Sequence, residues 1–290
     1  MRRFSLSILL LLLLAGTAAY AQTTAQKPPS SALDYYLRGA ARYDKGDYEG
    51  AIADYTKAIE LKPQQAEMYS NRGIARVVIG ELDNALADLN KAIELDPQFA
   101  LAYSNRSEAR RLKGDLDGAM ADSTKAIELN PREAKAYNNR GAARNGKGDY
   151  EGAITDTTKA IELDPQLGTA YNNRCYARYA KEDFDGALTD CNRAIELQPE
   201  RPEAYSNRGL LRLAKDELDG AITDFTKAIE LNPKLARTYA NRGAVKLIQS
   251  KDAEAQQDFD TALKLDSSLK TEVENLINQI KQSRTETTKP

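Results

Sequence analysis

The chain has 290 residues, 41% hydrophobic and 29% charged, and its 41 basic and 43 acidic residues leave a formal net charge of −2. That balance belongs to a folded chain and not to a disordered one, and it offers no clustered basic surface for nucleic acid. Histidine is absent, which removes the commonest general base and metal ligand together, and two cysteines are too few for a disulfide-rich scaffold.

At the amino terminus Arg2 and Arg3 precede an apolar run from Phe4 to Leu14 and small residues ending in Ala19-Tyr20-Ala21. This is the layout of a secretory signal peptide over residues 1–21, with cleavage expected after Ala21. The apolar run is shorter than the ~20 residues that cross a bilayer. No stable membrane insertion is therefore expected after cleavage, and the mature chain is expected in the periplasm or outside the cell. Residues 22–31 are polar and predict a flexible linker.

From residue 32 onward the chain repeats. Pro63, Pro97, Pro131, Pro165, Pro199 and Pro233 recur every 34 residues, in surroundings as alike as Lys57-Ala58-Ile59-Glu60-Leu61 and Lys91-Ala92-Ile93-Glu94-Leu95. A period of this length marks a stacked array. Seven units follow, over residues 32–65, 66–99, 100–133, 134–167, 168–201, 202–235 and 236–269, each predicted to hold two helices. In the fourth unit Tyr137 to Lys147 forms the first helix, Gly148 suits a left-handed exit and Asp149 caps the second helix. Ala153, Ile154, Thr157, Ala160, Ile161 and Leu163 then trace one helical face, which Pro165 ends. Gly141, Ala153 and Ala160 keep the paired helices close, since a bulky residue there would wedge them apart. Beyond Leu265 the pattern fades, but Leu269, Val273, Leu276, Ile277 and Ile280 form one apolar stripe. It predicts a capping helix over 270–282 that covers the last face of the array, followed by a disordered tail over 283–290.

The second unit carries an aromatic, Tyr69, at its fourth place, then Gly73, Ala85, Ala92 and Pro97 at its eighth, twentieth, twenty-seventh and thirty-second. By this pattern, repeated over residues 32–269, the chain resembles the tetratricopeptide-repeat family. The resemblance implies an all-α, right-handed superhelix, an α-solenoid of seven helical hairpins plus a C-terminal capping helix. It also implies a non-enzymatic scaffold whose concave groove, lined by the first helices, holds a protein or peptide partner. The seventh place departs from the family's usual Leu: Arg38, Arg72, Arg106, Arg140, Arg174, Arg208 and Arg242 stand there. Sixteen residues after each lies Asp54, Asp88, Asp122, Asp156, Asp190, Asp224 or Asp258, which predicts one ion pair per hairpin.

Asn71, Asn105, Asn139, Asn173, Asn207 and Asn241 occupy the sixth place, where the first unit has Leu37. In related arrays an asparagine here holds peptide backbone, for which an amide has both donor and acceptor; alternatively these amides bond neighbouring helices. The other expected groove positions vary, from Ile74, Val77 and Val78 through Glu108 and Arg111 to Tyr176 and Tyr179. Such variation suits selective binding and equally suits drift on a solvated face. The fifth-place Lys of chaperone-docking relatives is missing, and Gly141 to Gly148 resembles a phosphate loop but lacks its final Ser or Thr and its preceding strand.

Cys175 and Cys191 fall at the eighth and twenty-fourth places of the fifth unit, on facing helices, and predict a disulfide in an oxidising compartment or else two buried thiols. No catalytic, cofactor or metal-ligating set is apparent, so no cofactor is expected. The leading reading is a monomeric scaffold for an extended peptide. An assembly element of a cell-envelope complex, joined through its terminal repeats, is the alternative, and an enzyme is the third reading.

Overall fold

The computed structural model describes residues 30–287; the expected signal peptide, residues 22–29 and residues 288–290 lie outside the described residues. The chain divides into two compact units, the first ending at Asn105 and the second beginning at Arg106. In the first, α1 (Ala32–Asp44) pairs with α2 (Tyr48–Leu61), and α3 (Ala66–Val78) with α4 (Leu82–Leu95). The boundary falls inside α5 (Ala100–Leu112), whose hairpin is completed by α6 (Leu116–Leu129). In the second unit α7 (Ala134–Lys147) pairs with α8 (Tyr150–Leu163), α9 (Gly168–Ala180) with α10 (Phe184–Leu197), α11 (Pro202–Ala214) with α12 (Leu218–Leu231), and α13 (Ala236–Ile248) with α14 (Asp252–Leu265). A 3-10 turn, Ser267–Leu269, leads into α15 (Lys270–Thr287). Among the described residues there is no strand, and no helix is long and apolar enough to cross a membrane.

Local sequence accounts for the tight turns. Asp47, Asp115, Asp149 and Asp183 each accept the backbone N–H of the glycine three residues on, at 2.9–3.0 Å, which satisfies a donor the helix start would leave orphaned. Gly148, at φ 80°, makes the left-handed exit from α7. The last three hairpins have Glu182, Asp216 and Ser250 at that position, held at φ 60–62° in a region that glycine occupies without a steric penalty.

Packing within the hairpins follows from small residues. The twentieth-place alanines, from Ala51 to Ala255, are all fully buried. The eighth and twenty-fourth places share a fixed volume between the two helices. A Cβ on Gly39, Gly73, Gly141, Gly209 or Gly243 would come within 2.6–2.9 Å of Tyr55, Leu89, Thr157, Phe225 or Phe259. In the third hairpin two small residues fill the slot, Ser107 and Ser123, with hydroxyls 2.6 Å apart. In the fifth, Cys175 and Cys191 fill it, bonded to each other with Cα atoms 5.4 Å apart.

The two ends of the array differ. At the carboxyl end Leu269, Val273, Ile277 and Ile280 pack on Ala240, Leu247, Ala255 and Phe259. The end helix runs to Thr287, beyond the expected limit of 282, which corrects the expectation of a disordered tail for residues 283–287. Arg284 supplies the reason: it donates to the Leu247 carbonyl at 3.3 Å and to the Asp252 carboxylate at 2.8 Å, tying the last turns to the seventh hairpin. At the amino end α1 starts with a capping box between Ser31 and Asp34.

Candidate functional site

The arginine at the seventh place ties each first helix to the second helix of its own hairpin. Arg72 donates through Nε and Nη2 to both oxygens of Asp88, at 2.9 and 2.7 Å. The same fork joins Arg38 to Asp54, Arg106 to Asp122, Arg140 to Asp156, Arg174 to Asp190, Arg208 to Asp224 and Arg242 to Asp258. All seven aspartates are buried. A second cation, one helical turn further along, completes each site: Arg42, Arg76, Arg110, Arg144, Arg178, Arg212 or Lys246 reaches the same carboxylate at 2.7–3.0 Å. Sequence reasoning found the pair and missed this third member, although its signal, a basic residue four places after each arginine, was present.

The guanidinium does more than neutralise a charge. Its remaining nitrogen reaches the preceding hairpin, Arg72 to Thr56, Arg140 to Thr124, Arg174 to Thr158, Arg208 to Asn192 and Arg242 to Thr226, at 2.8–3.3 Å. The tyrosine three places earlier lies beneath it, with centroid distances of 5.5–5.7 Å in the six pairs from Tyr35–Arg38 to Tyr239–Arg242. The hydrogen bond to Asp156 holds the Arg140 guanidinium above its ordinary pKa, against the opposing effect of burial.

Asparagines of the sixth place also link neighbouring hairpins. Asn71 donates to the Tyr36 hydroxyl at 2.9 Å, Asn105 to Ser70 Oγ at 3.0 Å, Asn173 to Asn138 Oδ1 at 2.8 Å and Asn207 to Asn172 Oδ1 at 2.9 Å. In each, the amide N–H reaches the fifth place of the preceding hairpin, so a donor is used between helices and Oδ1 is the atom left to accept. Asn139, buried on α7, and Asn241, half-buried on α13, hold the same place. Asn145, which sequence reasoning did not single out, donates to the Asn173 carbonyl at 2.8 Å, while its buried Oδ1 has no partner.

Tyr176 is 38% exposed and meets Tyr150 edge-on at 6.2 Å. Burial raises its phenol pKa and Tyr150 adds to this, while Arg237 of α13 opposes it. Glu108 and Arg111 form a fork at 2.8 and 3.1 Å. Burial works against the Arg111 charge, but the hydrogen bond to Glu108 and the charges of Glu108 and Glu203 keep its pKa raised. Glu203 lies on α11, three hairpins further on. Tyr179 is half-buried and packs on Phe184, 6.0 Å away, beside the Cys175–Cys191 pair, and Val77 of the first unit is buried. Among the described residues no group of His, Cys, Asp or Glu is placed to hold a metal ion.

Comparison with known proteins agrees with this architecture. Sequence models described as TPR repeat match residues 31–77, 79–110 and 176–216, and models described as tetratricopeptide repeat match 100–133, 134–167 and 202–235. Together they span more than half of the chain, which belongs to the tetratricopeptide-repeat family. Among solved structures, the Cut9–Hcn1 hetero-tetramer of the APC/C contains a chain 18% identical over 85% of this one, with a TM-score of 0.76. This chain spans 49% of that one, about half its length. A tetratricopeptide repeat protein from Parabacteroides merdae ATCC 43184 is 21% identical, covers 86% of this chain and 98% of its own, and gives a TM-score of 0.61. At these identities the likeness is one of fold. No protein of curated function matches the sequence. The family places the chain among α-solenoids of helical hairpins, a fold that serves broadly as a scaffold for protein–protein interaction.

Proposed function

We propose that this chain is an exported, non-enzymatic scaffold that holds an extended peptide segment of a protein partner along the first-helix face of its second unit. The observation that carries the reading is the pair of sixth-place asparagines, Asn173 and Asn207, whose amide N–H groups are tied to the preceding hairpin so that each Oδ1 is left to accept. A peptide laid there meets Tyr176 as an exposed aromatic platform, and the amide oxygens of Asn173 and Asn207 as acceptors whose orientation is set by their own N–H bonds. Preorganised side chains lose little entropy on binding, which favours affinity from a small contact area. The export half of the reading rests on the charged, apolar and small-residue order of residues 1–21.

The test is selection of extended peptides from a random library on the purified mature chain, followed by titration of the selected peptides. Tyr176→Ala is expected to weaken binding tenfold or more, and Lys159→Ala, on the exposed face of a second helix, to leave it unchanged. Equal affinity for wild type and Tyr176→Ala would end the groove reading. Mass spectrometry of the chain recovered from the envelope fraction of an expressing bacterium is expected to find Gln22 as the first residue. An intact Met1 form confined to the cytoplasm would overturn export.

A further inference from the structure

The amino-terminal end of the array is built differently from every later hairpin. In those hairpins the third and tenth places of the first helix are buried, as with Met68 and Ala75, Ala136 and Ala143, Ala204 and Leu211, or Thr238 and Val245. In α1 the same places hold Asp34 and Ala41, both exposed. The sixth place, asparagine in all other units, is Leu37, which is 57% exposed, and Leu33 one turn before it is 60% exposed. Arg38 keeps its fork to Asp54, yet its side chain is 42% exposed, against 13–18% for its six counterparts. At the other end of the array, among the described residues, the outer side of α15 carries Thr271, Glu274, Asn275, Asn278 and Lys281.

A face meant only for water has no use for two exposed leucines, one of them where the repeat pattern supplies asparagine. The spacing of the residues around them names the occupant. Asp34, Leu37, Arg38 and Ala41 fall on one side of α1 and Lys45 follows at its C-cap, with the acid in the first turn and the base just past the last. Turned end for end, this row is complementary to itself.

We propose that α1 docks antiparallel against α1 of a second copy, forming a two-fold dimer in which Leu37 of each copy packs on Ala41 of the other and Asp34 of each lies beside Lys45 of the other. A two-fold contact uses the same patch twice, so both charge pairs form or neither does. Lys45 has no ion pair within its own chain among the described residues, and one carboxylate oxygen of Asp34 is left over from the capping box. One four-turn helix covers less than the ~1,200 Å² of a standard interface, so the dimer is weak, with a dissociation constant of about 10–100 μM. It is independent of the peptide-binding face, which lies on the other unit.

Sedimentation equilibrium of the mature chain up to several times that concentration range tests it. Wild type is expected to self-associate, and Lys45→Asp and Asp34→Lys each to weaken association at least tenfold. Mixing the two single variants is expected to recover it, because one copy then carries two lysines opposite two aspartates of the other. Leu37→Asn, which installs the residue of the other units, is expected to abolish association with an unchanged circular dichroism spectrum. Asp34 also caps α1, so Lys45→Asp, which leaves the cap intact, guards against a folding effect. A monomer throughout the range, or association that ignores the charge swaps, would overturn the proposal.

Discussion

A carboxylate removed from water needs partners strong enough to offset its lost hydration, and the buried aspartates have two cations each. Breaking such a site leaves an uncompensated charge inside the hairpin, which costs about 3–5 kcal/mol. Arg140→Leu leaves Arg144 on Asp156 at 2.9 Å, so its cost is expected at the low end, about 3 kcal/mol, read from urea denaturation. The matching exposed pair, Lys159 with Glu162 at 2.9 Å, is expected to contribute no more than about 1 kcal/mol, and Lys159→Ala supplies the contrast. Equal effects from the two substitutions would mean that burial does not decide the value of an ion pair here.

At the scale of the hairpin, shared volume and backbone strain govern. Leu89 fills the space opposite Gly73, and a Cβ there would lie 2.8 Å from its side chain, so Gly73→Ala is expected to cost about 1–3 kcal/mol. The cystine occupies the same slot in the fifth hairpin and closes a loop of sequence separation 16. Reduction is expected to lower stability by about 3 kcal/mol, measured by denaturation with and without a thiol reagent. The double variant Cys175→Gly with Cys191→Leu, which copies the Gly73 and Leu89 pair, is expected to fold and to be indifferent to reductant. The same hairpin carries Glu182 at φ 62°, where glycine has no steric penalty. Glu182→Gly is expected to raise stability by about 1 kcal/mol, and a loss instead would show that the Glu182 side chain does something the backbone argument omits.

At the scale of the whole molecule, a stack of hairpins is stable only where each apolar side is covered, and the last side depends on α15. Removing residues 270–290 uncovers Leu247, Ala255 and Phe259. Hydrogen exchange is expected to become faster first in α13 and α14 while α7 and α8 keep their protection, because neighbour contacts carry the stability of a repeat array locally. Uniform loss of protection along the chain would indicate a single cooperative unit instead.

The number of hairpins, the alanine positions and the arginine–aspartate pairing were all legible in the sequence. Each depends on spacing alone: a 34-residue period repeats local structure, and two places sixteen apart in a hairpin face each other wherever it stands. Three things were decided only by tertiary structure. An amide has both donor and acceptor, so whether Asn173 bonds its neighbour depends on the register between α7 and α9, which places its Nδ2 2.8 Å from Asn138 Oδ1. The length of α15 depends on Arg284 finding Leu247 and Asp252, contacts 37 and 32 residues back that no local pattern encodes. That Tyr176 is exposed while Tyr179 is half-buried against Phe184 depends on which side of α9 meets that ring, a matter of how helices pack and not of which residues they contain.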